Sequence, residues 1–99
     1  MTKQLRRGEV WLANLDPTQG SEQAGIRPVI IFQNDIVSKF STTTITIPLT
    51  INKRRASLPI CVMINRGDGG LRQDSVALCF QLRVLDKTRS IKRLGQLDP

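Results

Sequence analysis

The sequence predicts a mainly β fold, a small and strongly bent antiparallel barrel, and three observations support this fold class. The chain has 99 residues, enough for one domain with a modest core and no second one. Short runs of β-branched and aliphatic residues recur at close spacing between Gly, Pro, Asp and Asn. No repeat or linker divides the chain, so residues 1–99 form a single predicted domain.

The predicted strands follow from local residue chemistry. Glu9–Ala13 is the first, and the loop that follows, 17–26, carries Pro and Gly among polar neighbours. Pro28–Phe32 is continuously apolar, which indicates a strand buried on both faces. Thr42–Leu49 is β-branched almost throughout and gives the strongest strand signal. The remaining predicted strands are Leu58–Ile64, Ser75–Leu78 and Leu82–Leu85, and the predicted short helices are Asp35–Phe40 and a segment near Asp86–Ser90.

Two further segments have turn chemistry. Gly67–Gly70 is rich in glycine and predicts a flexible turn between two strands. Asp98-Pro99 combines residues that favour the N-cap and first turn of a helix. We therefore expect either a helix that would begin at this point or a simple turn.

The charge distribution points to a polyanionic partner. Fifteen Lys and Arg residues against eight Asp and Glu give a net charge of +7, most of it in the second half of the chain. Two runs concentrate it, Lys53-Arg54-Arg55 and Lys87–Arg93. Nucleic acid is the first candidate partner. The alternative for either run is a solvated surface, and a membrane surface fits less well because neither run lies on an evident amphipathic helix.

Composition excludes several common kinds of site. The chain has no His, which removes the usual general acid–base group and the usual zinc ligand, so we expect no metal and no cofactor. Without His, Cys61 and Cys79 lack the partner of a Cys–His nucleophile, and two buried reduced thiols are favoured over a disulfide. No run of 18 apolar residues and no signal peptide is present, so we expect no membrane segment. On composition alone, an anion-binding protein is favoured over a catalyst.

Short motifs run in order through nearly the whole chain. The most specific, Gly20–Pro28, reads Gly-Ser-Glu-Gln-Ala-Gly-Ile-Arg-Pro within Leu15–Val29. The others are Arg7–Trp11, Gln33–Asp35, Pro48–Thr50, Leu58-Pro59, Asp74–Leu78 and Gln81–Arg83. Together these residues closely resemble the MazF/PemK toxin family.

This resemblance implies a fold and a function. It implies an SH3-like antiparallel barrel, MazF/CcdB-like, with short helices and with the closing C-terminal helix of relatives missing. It implies a toxin of a type II toxin–antitoxin system, a homodimer that cleaves single-stranded RNA at short motifs in the bacterial cytoplasm. The implied inhibitor is a MazE-like antitoxin, and the charge of +7 leads us to expect an acidic, disordered segment in it.

The chemistry of RNA makes a histidine-free nuclease possible, because RNA carries its own nucleophile, the 2′-OH beside the scissile phosphate. In-line attack gives a 2′,3′-cyclic phosphate and a 5′-OH without a metal. The resemblance assigns catalysis to Arg27 and Thr50. Arg27 can hold phosphate oxygens bidentately, and Thr50 can donate its hydroxyl proton to an oxygen. A guanidinium is a poor base, so we expect Arg27 to act mainly by electrostatic stabilisation and to donate a proton as an acid.

The remaining predicted site residues bind RNA. Ser21, Glu22 and Gln23 are expected to read unpaired bases and to contact the antitoxin, although composition alone predicts an ordinary polar loop. Lys53, Arg54 and Arg55 are expected to contact phosphates. Gln81 matches a base-reading position, but Phe80 beside it replaces the acidic residue expected there. The lone Trp11 is expected in the core rather than stacked on a base.

Two other functions stay open at this point. The chain could be a non-catalytic RNA-binding or protein-binding module, since SH3-like barrels also bind without cutting. It could also be a gyrase poison like the CcdB toxins, which share the barrel and act by protein contact. The pair Arg27 and Thr50 favours the nuclease, because gyrase poisoning needs neither residue as a phosphate clamp.

Overall fold

The computed structural model describes residues 4–16 and 24–98, and this part of the chain is mainly β. Its one α-helix, α1, is the predicted segment Asp35–Phe40, where the Asn34 side chain caps the first turn by accepting hydrogen bonds from the backbone N–H groups of Ile36 and Val37. The strands are β1 Glu9–Asn14, β2 Ile26–Ile31, β3 Thr43–Thr50, β4 Cys61–Ile64, β5 Ser75–Leu78, β6 Arg83–Asp86 and β7 Ser90–Gln96.

Every strand pair is antiparallel, and β3 organises the sheet. Along one edge β3 pairs with β2. Along its other edge β6 pairs with the first half of β3, and β5 pairs with the end of it. The strand order is therefore β4-β5-β3-β2-β1-β7, with β6 beside β3. The change of partner along β3 bends the sheet, as the sequence predicts for a small barrel.

The sheet separates two hydrophobic clusters, and β2 contributes to both. Val29 and Ile31 pack in the first cluster, with Leu5, whereas Ile30 packs in the second, with Leu49. Successive side chains of a strand point to opposite faces, so a strand covered on both faces must be apolar throughout. The continuous apolar run therefore predicts this double burial correctly.

The structure corrects two predicted elements. The expected strand Leu58–Ile64 begins only at Cys61, because Pro59 has no N–H to donate and Ile60 has a positive φ of 61°. Near Asp86–Ser90, where a helix is predicted, only Lys87–Arg89 forms a short 3₁₀ turn, and β7 follows at once. Sequence reasoning missed β7 because two register shifts against β1 interrupt the alternation of apolar and polar residues.

The segment predicted as a flexible turn is instead packed against β7. Asp68–Gly70 forms a 3₁₀ turn, and Gly69 and Gly70 both have a positive φ. A Cβ on Gly70 would lie 2.0 Å from the carbonyl oxygen of Leu94, and a Cβ on Gly69 would lie 2.6 Å from Val10. These glycines therefore permit a close backbone approach that no larger residue could make.

The two cysteines are unbonded thiols, but they are half-buried rather than buried. Burial, together with the neighbouring Cys61, raises the pKa of the Cys79 thiol. In the described residues, no helix is both long and apolar enough to span a membrane.

Candidate active site

Arg27 lies in β2 and Thr50 ends β3, and these two strands pair with each other. β2 and β3 pair as Val29 with Pro48 and Ile30 with Ile47. When this antiparallel register is continued toward the start of β2, Arg27 comes opposite Thr50, on the same face as Val29 and Pro48. The two residues named as catalytic are 23 positions apart in the chain, and the pairing of β2 with β3 is what would bring them near each other.

Arg27 is half-buried and fixed by a hydrogen bond to its own loop. Its Nε donates to the carbonyl oxygen of Ala24 at 2.8 Å. This bond uses the inner nitrogen of the guanidinium, so the two terminal NH₂ groups remain to meet an anion in the geometry that suits phosphate oxygens. Pro28 follows directly and stiffens the backbone at this point.

Thr50 ends β3 and is 6% exposed. Its Oγ1 accepts a hydrogen bond from the backbone N–H of Asn52 at 3.2 Å. This contact uses a lone pair of the hydroxyl and leaves its proton available for donation. On the edge away from β2, Thr50 pairs with Val76, so β5 holds its backbone.

The basic run after Thr50 lies at the same end of the sheet. Residues Lys53–Ser57 form a 3₁₀ segment in which Lys53 and Arg54 are exposed. The Nζ of Lys53 is 3.7 Å from an Oδ of Asp74, the residue that precedes β5. A hydrogen bond from the backbone N–H of Arg66 and the charge of Lys53 hold the pKa of Asp74 below its usual range. This carboxylate therefore stays ionised and partly neutralises the local positive charge.

The other predicted site residues are only partly placed by the structure. Gln81 closes the 3₁₀ turn Cys79–Gln81 between β5 and β6, which contacts the same strand β3 that ends at Thr50. Ser21, Glu22 and Gln23 lie outside the described residues, as does the side chain of Arg55. In the part of the chain that is described, no cluster of three or more His, Cys, Asp or Glu side chains could hold a metal ion.

The second basic run is not a uniform cationic surface. Lys87 is 5% exposed, and its Nζ donates to the carbonyl oxygen of Ser38 in α1. The expectation that the whole run Lys87–Arg93 faces a polyanion is therefore wrong at Lys87, which fastens α1 to the turn before β7. The exposed Arg66 and Arg72 add positive charge to the surface instead. The sequence does not point to these two residues, because neither belongs to a basic run.

Trp11 and Glu9 form a buried polar contact beside the first cluster. Trp11 packs on that cluster, as predicted, and its Nε1 donates to Oε1 of Glu9 at 3.1 Å. The same Oε1 accepts the backbone N–H of Arg6, and Oε2 accepts Nε of Arg93 at 2.7 Å. Burial by itself would raise the pKa of Glu9, but these hydrogen bonds and the charge of Arg93 hold it below its usual range.

Known proteins of closely similar sequence exist. A family model described as a PemK-like, MazF-like toxin of a type II toxin–antitoxin system matches residues 6–99. The chain is 47% identical over 93 residues to Endoribonuclease MazF of Staphylococcus saprophyticus, a match that covers 94% of this chain and 78% of the relative. It is 43% identical over 94 residues to Endoribonuclease EndoA of Bacillus subtilis, a match that covers 95% of this chain and 81% of the relative.

Solved structures of similar fold include toxins of this kind, free and with an antitoxin. MazF of Deinococcus radiodurans superposes with a TM-score of 0.81 at 21% identity, over 99% of this chain and 84% of the other. A mycobacterial endoribonuclease solved in complex with its cognate antitoxin gives a TM-score of 0.76 at 21% identity, over 95% of this chain and 80% of the other. This likeness confirms the predicted barrel, and the sequence matches establish that the chain belongs to the PemK-like, MazF-like family of toxins of type II toxin–antitoxin systems.

Proposed function

We propose that this toxin is a sequence-specific endoribonuclease that cleaves single-stranded messenger RNA without a metal ion, using Arg27 and Thr50. The observation that supports the proposal is the register of β2 and β3, which, continued two residues beyond Val29 and Pro48, would set the half-buried Arg27 opposite the buried Thr50. Two of the relatives similar in sequence are named endoribonucleases. Messenger RNA is found in the bacterial cytoplasm, so we place the activity there.

The reaction needs charge stabilisation more than it needs a strong base. The 2′-oxygen forms a bond to phosphorus, the bond from phosphorus to the 5′-oxygen breaks, and the products end in a 2′,3′-cyclic phosphate and a 5′-OH. The terminal NH₂ groups of Arg27 contact the non-bridging oxygens as their charge grows, and the Thr50 hydroxyl donates to an oxygen of the same phosphate. An arginine guanidinium stays protonated at neutral pH, so the 2′-OH proton passes to water. The 5′-oxygen takes up one proton from water as it leaves.

The surrounding cations bind the RNA on either side of the cut. Exposed Lys53 and Arg54 come three and four residues after Thr50 and contact phosphates, with Arg55 in the same run. Ser21, Glu22, Gln23 and Gln81 read unpaired bases. Phe80 stands beside Gln81 and is exposed, so the motif that this protein cuts differs from that of relatives with an acidic residue there.

The active unit in this proposal is a homodimer that an antitoxin inhibits. Phe32, Ile45 and Val84 form one row across β2, β3 and β6, because Phe32 donates its N–H to Ile45 and Ile45 pairs with Val84. Phe32 and Val84 are exposed, which gives an apolar face of the kind that a second copy would cover. A similar mycobacterial endoribonuclease has been solved with its cognate antitoxin, and we propose an acidic, MazE-like antitoxin here.

The test is to incubate the purified protein with single-stranded RNA in excess EDTA and to map both ends of each product. We expect cyclic-phosphate and 5′-OH ends in EDTA, no cleavage of a DNA copy, and renewed cleavage when a single ribonucleotide is placed at the cut site. Arg27→Ala should abolish cleavage while the protein still folds and binds RNA weakly. Intact RNA retained by the wild-type protein would instead support a binding module, and intact RNA with gyrase inhibition would support a CcdB-like poison.

A further inference from the structure

The chain between β5 and β6 forms a bulge opposite β3. In β3, Leu49 pairs with Ala77 of β5. Three residues earlier, Thr46 pairs with Arg83 of β6. Two residues of β3 therefore face five residues of the other segment, and surplus residues of this kind leave the ladder and re-aim their side chains. Phe80 is the middle one of the five, and it is 46% exposed.

Hydrogen bonds hold this bulge at both of its ends. Cys79 donates its N–H to the carbonyl oxygen of Ile60 at 3.2 Å, and Leu82 donates its N–H to the carbonyl oxygen of Cys79 at 3.3 Å. After the bulge, the hydroxyl of Thr46 donates to the carbonyl oxygen of Arg83 at 3.0 Å. The exposed phenylalanine is therefore presented from a fixed backbone, so little conformational freedom is lost when a ligand covers its ring.

The bulge lies near the end of β3 that carries Thr50. It stands opposite Pro48, which is two residues before Thr50, or about 7 Å along an extended strand. Because side chains alternate along a strand, Thr46 shares a face with Thr50, and so does Arg83, which pairs with Thr46. Stacked nucleotides rise about 3.4 Å each, so this separation corresponds to roughly two nucleotides of a strand whose scissile phosphate meets Thr50.

We propose that Phe80 is a stacking platform for an unpaired base of the RNA substrate, about two nucleotides from the scissile phosphate. The inference rests on the proposed function, because it takes single-stranded RNA as the ligand. Proteins hold unpaired bases by stacking them on exposed aromatic rings, since every base has a flat face. Gln81, the next residue, is the one proposed to read base edges, so a single turn would recognise both the face and the edge of a base.

The other two phenylalanines of the chain are exposed but are placed differently. The guanidinium of Arg7 lies 4.9 Å from the centre of the Phe32 ring, so a cation already covers that ring. Phe40 is 87% exposed and ends α1, just before β3 begins, whereas Thr50 is at the opposite end of β3. Phe40 is therefore a matched control for Phe80, an exposed phenylalanine away from the proposed site.

Binding of uncleavable strands tests this inference without any activity measurement. Two labelled 2′-O-methyl strands of about 12 nucleotides carry the same number of phosphates, one with adenine at every position and one with no bases. Neither has a 2′-OH, so neither can be cut. Fluorescence anisotropy should show that the wild-type protein binds the adenine strand about tenfold or more tightly than the abasic strand.

Variants of the two phenylalanines locate the stacked base. Phe80→Leu keeps an apolar side chain but removes the ring, so it should weaken binding of the adenine strand about tenfold and of the abasic strand less than about twofold. Phe80→Trp restores a flat face and should bind the adenine strand within about threefold of the wild-type protein. Phe40→Leu should change either affinity less than about twofold. Circular dichroism and urea unfolding verify that each variant folds.

A nuclear magnetic resonance titration observes the ring itself. The aromatic proton signals of Phe80 are identified by their loss in Phe80→Leu, and the chain has only three phenylalanines and one tryptophan to resolve. Stacking on adenine should move these signals upfield, because the ring current of the base shields protons above its face. The abasic strand should leave them nearly unmoved.

Several results would overturn the stacking platform. Equal weakening of the two strands by Phe80→Leu, an equal effect of Phe40→Leu, or ring signals that the adenine strand leaves unmoved would each do so. If Phe80→Leu instead weakens both strands and lowers the dimer content in sedimentation equilibrium, the ring belongs to a contact between copies. Failure of the wild-type protein to cut RNA in EDTA would refute the nuclease, whereas the stacking result on uncleavable strands would stand.

Discussion

The contact between Glu9 and Arg93 gives the most direct prediction for stability. Glu9 lies at the start of β1 and its side chain is 9% exposed, whereas Arg93 in β7 is 47% exposed at its side chain. In Glu9→Gln, the amide oxygen can still accept the backbone N–H of Arg6 and the indole N–H of Trp11. The amide nitrogen, however, is a donor and would face the Nε–H of Arg93, also a donor. The variant therefore loses one charge-assisted hydrogen bond and no apolar packing.

We expect this loss to lower the free energy of unfolding by about 2 kcal/mol, the usual magnitude of a hydrogen bond to a charged group. The larger cost of breaking a fully buried ion pair does not apply, because Arg93 can turn its guanidinium toward water. For a domain of this size, about 2 kcal/mol corresponds to a fall of roughly 10 °C in melting temperature.

The difference between the wild-type protein and Glu9→Gln should also depend on pH. The pKa of Glu9 is lowered in the folded state, so the folded protein binds fewer protons than the unfolded chain when pH passes through that region. The stabilisation is therefore fully present above the pKa of an unfolded glutamate, about 4.3, and is lost as pH falls through the lowered value. Asp74 and Asp86, whose pKa values are also lowered, titrate alike in both proteins and cancel in the comparison.

Urea unfolding followed by far-ultraviolet circular dichroism at pH 7 and pH 3 measures both effects. Circular dichroism is preferable to fluorescence, because the single tryptophan donates to Glu9 and would respond to the substitution itself. A difference smaller than about 0.5 kcal/mol at pH 7 would show that the contact adds no net stability. A difference that stays the same at pH 3 would refute the titration argument.

Three further outcomes are expected from the same geometry. Thr50→Val should lower the single-turnover cleavage rate about 100-fold or more, while Thr50→Ser should keep most of the wild-type rate. Equal rates in the two variants would show that the hydroxyl takes no part in the mechanism. Gly70→Ala should cost about 3 kcal/mol in urea unfolding because its Cβ would meet the backbone of Leu94. Gly67 has a positive φ but open space around it, so Gly67→Ala should lower the free energy of unfolding by only about 1 kcal/mol. Equal losses in the two variants would contradict the close approach of Gly70 to Leu94. Lys53→Ala should reduce the salt slope of binding to 2′-O-methyl RNA by about 1, measured by anisotropy between 50 and 200 mM salt.

The sequence predicts those elements whose signal is local. Asp35–Phe40 is a helix with the predicted bounds, since Asn34 supplies a cap that can be read from the residue itself. Ser75–Leu78 also has the predicted bounds, and the apolar run in β2 correctly indicates burial on both faces. In each case the residues that determine the element lie inside it or next to it.

The errors occur where a distant contact determines the conformation. β7 is a strand because β1 pairs with it through two register shifts, and no local alternation reports such a pairing. Gly69 and Gly70 are held against Val10 and Leu94, so a segment with the composition of a flexible turn is packed in one position. Lys87 belongs to a basic run in the sequence, yet its ammonium group is buried against the carbonyl of Ser38.

The candidate site shows the same division between residue type and placement. The sequence identifies Arg27 and Thr50 through the motifs that contain them, but residue type alone says only that one can bind phosphate and that the other can donate a proton. Only the pairing of β2 with β3 suggests that they act together, because its register, continued two residues beyond Val29 and Pro48, would set both on one face. In the proposed mechanism a protein without histidine directs RNA's own nucleophile, because two fixed donors can stabilise the charge that the reaction creates.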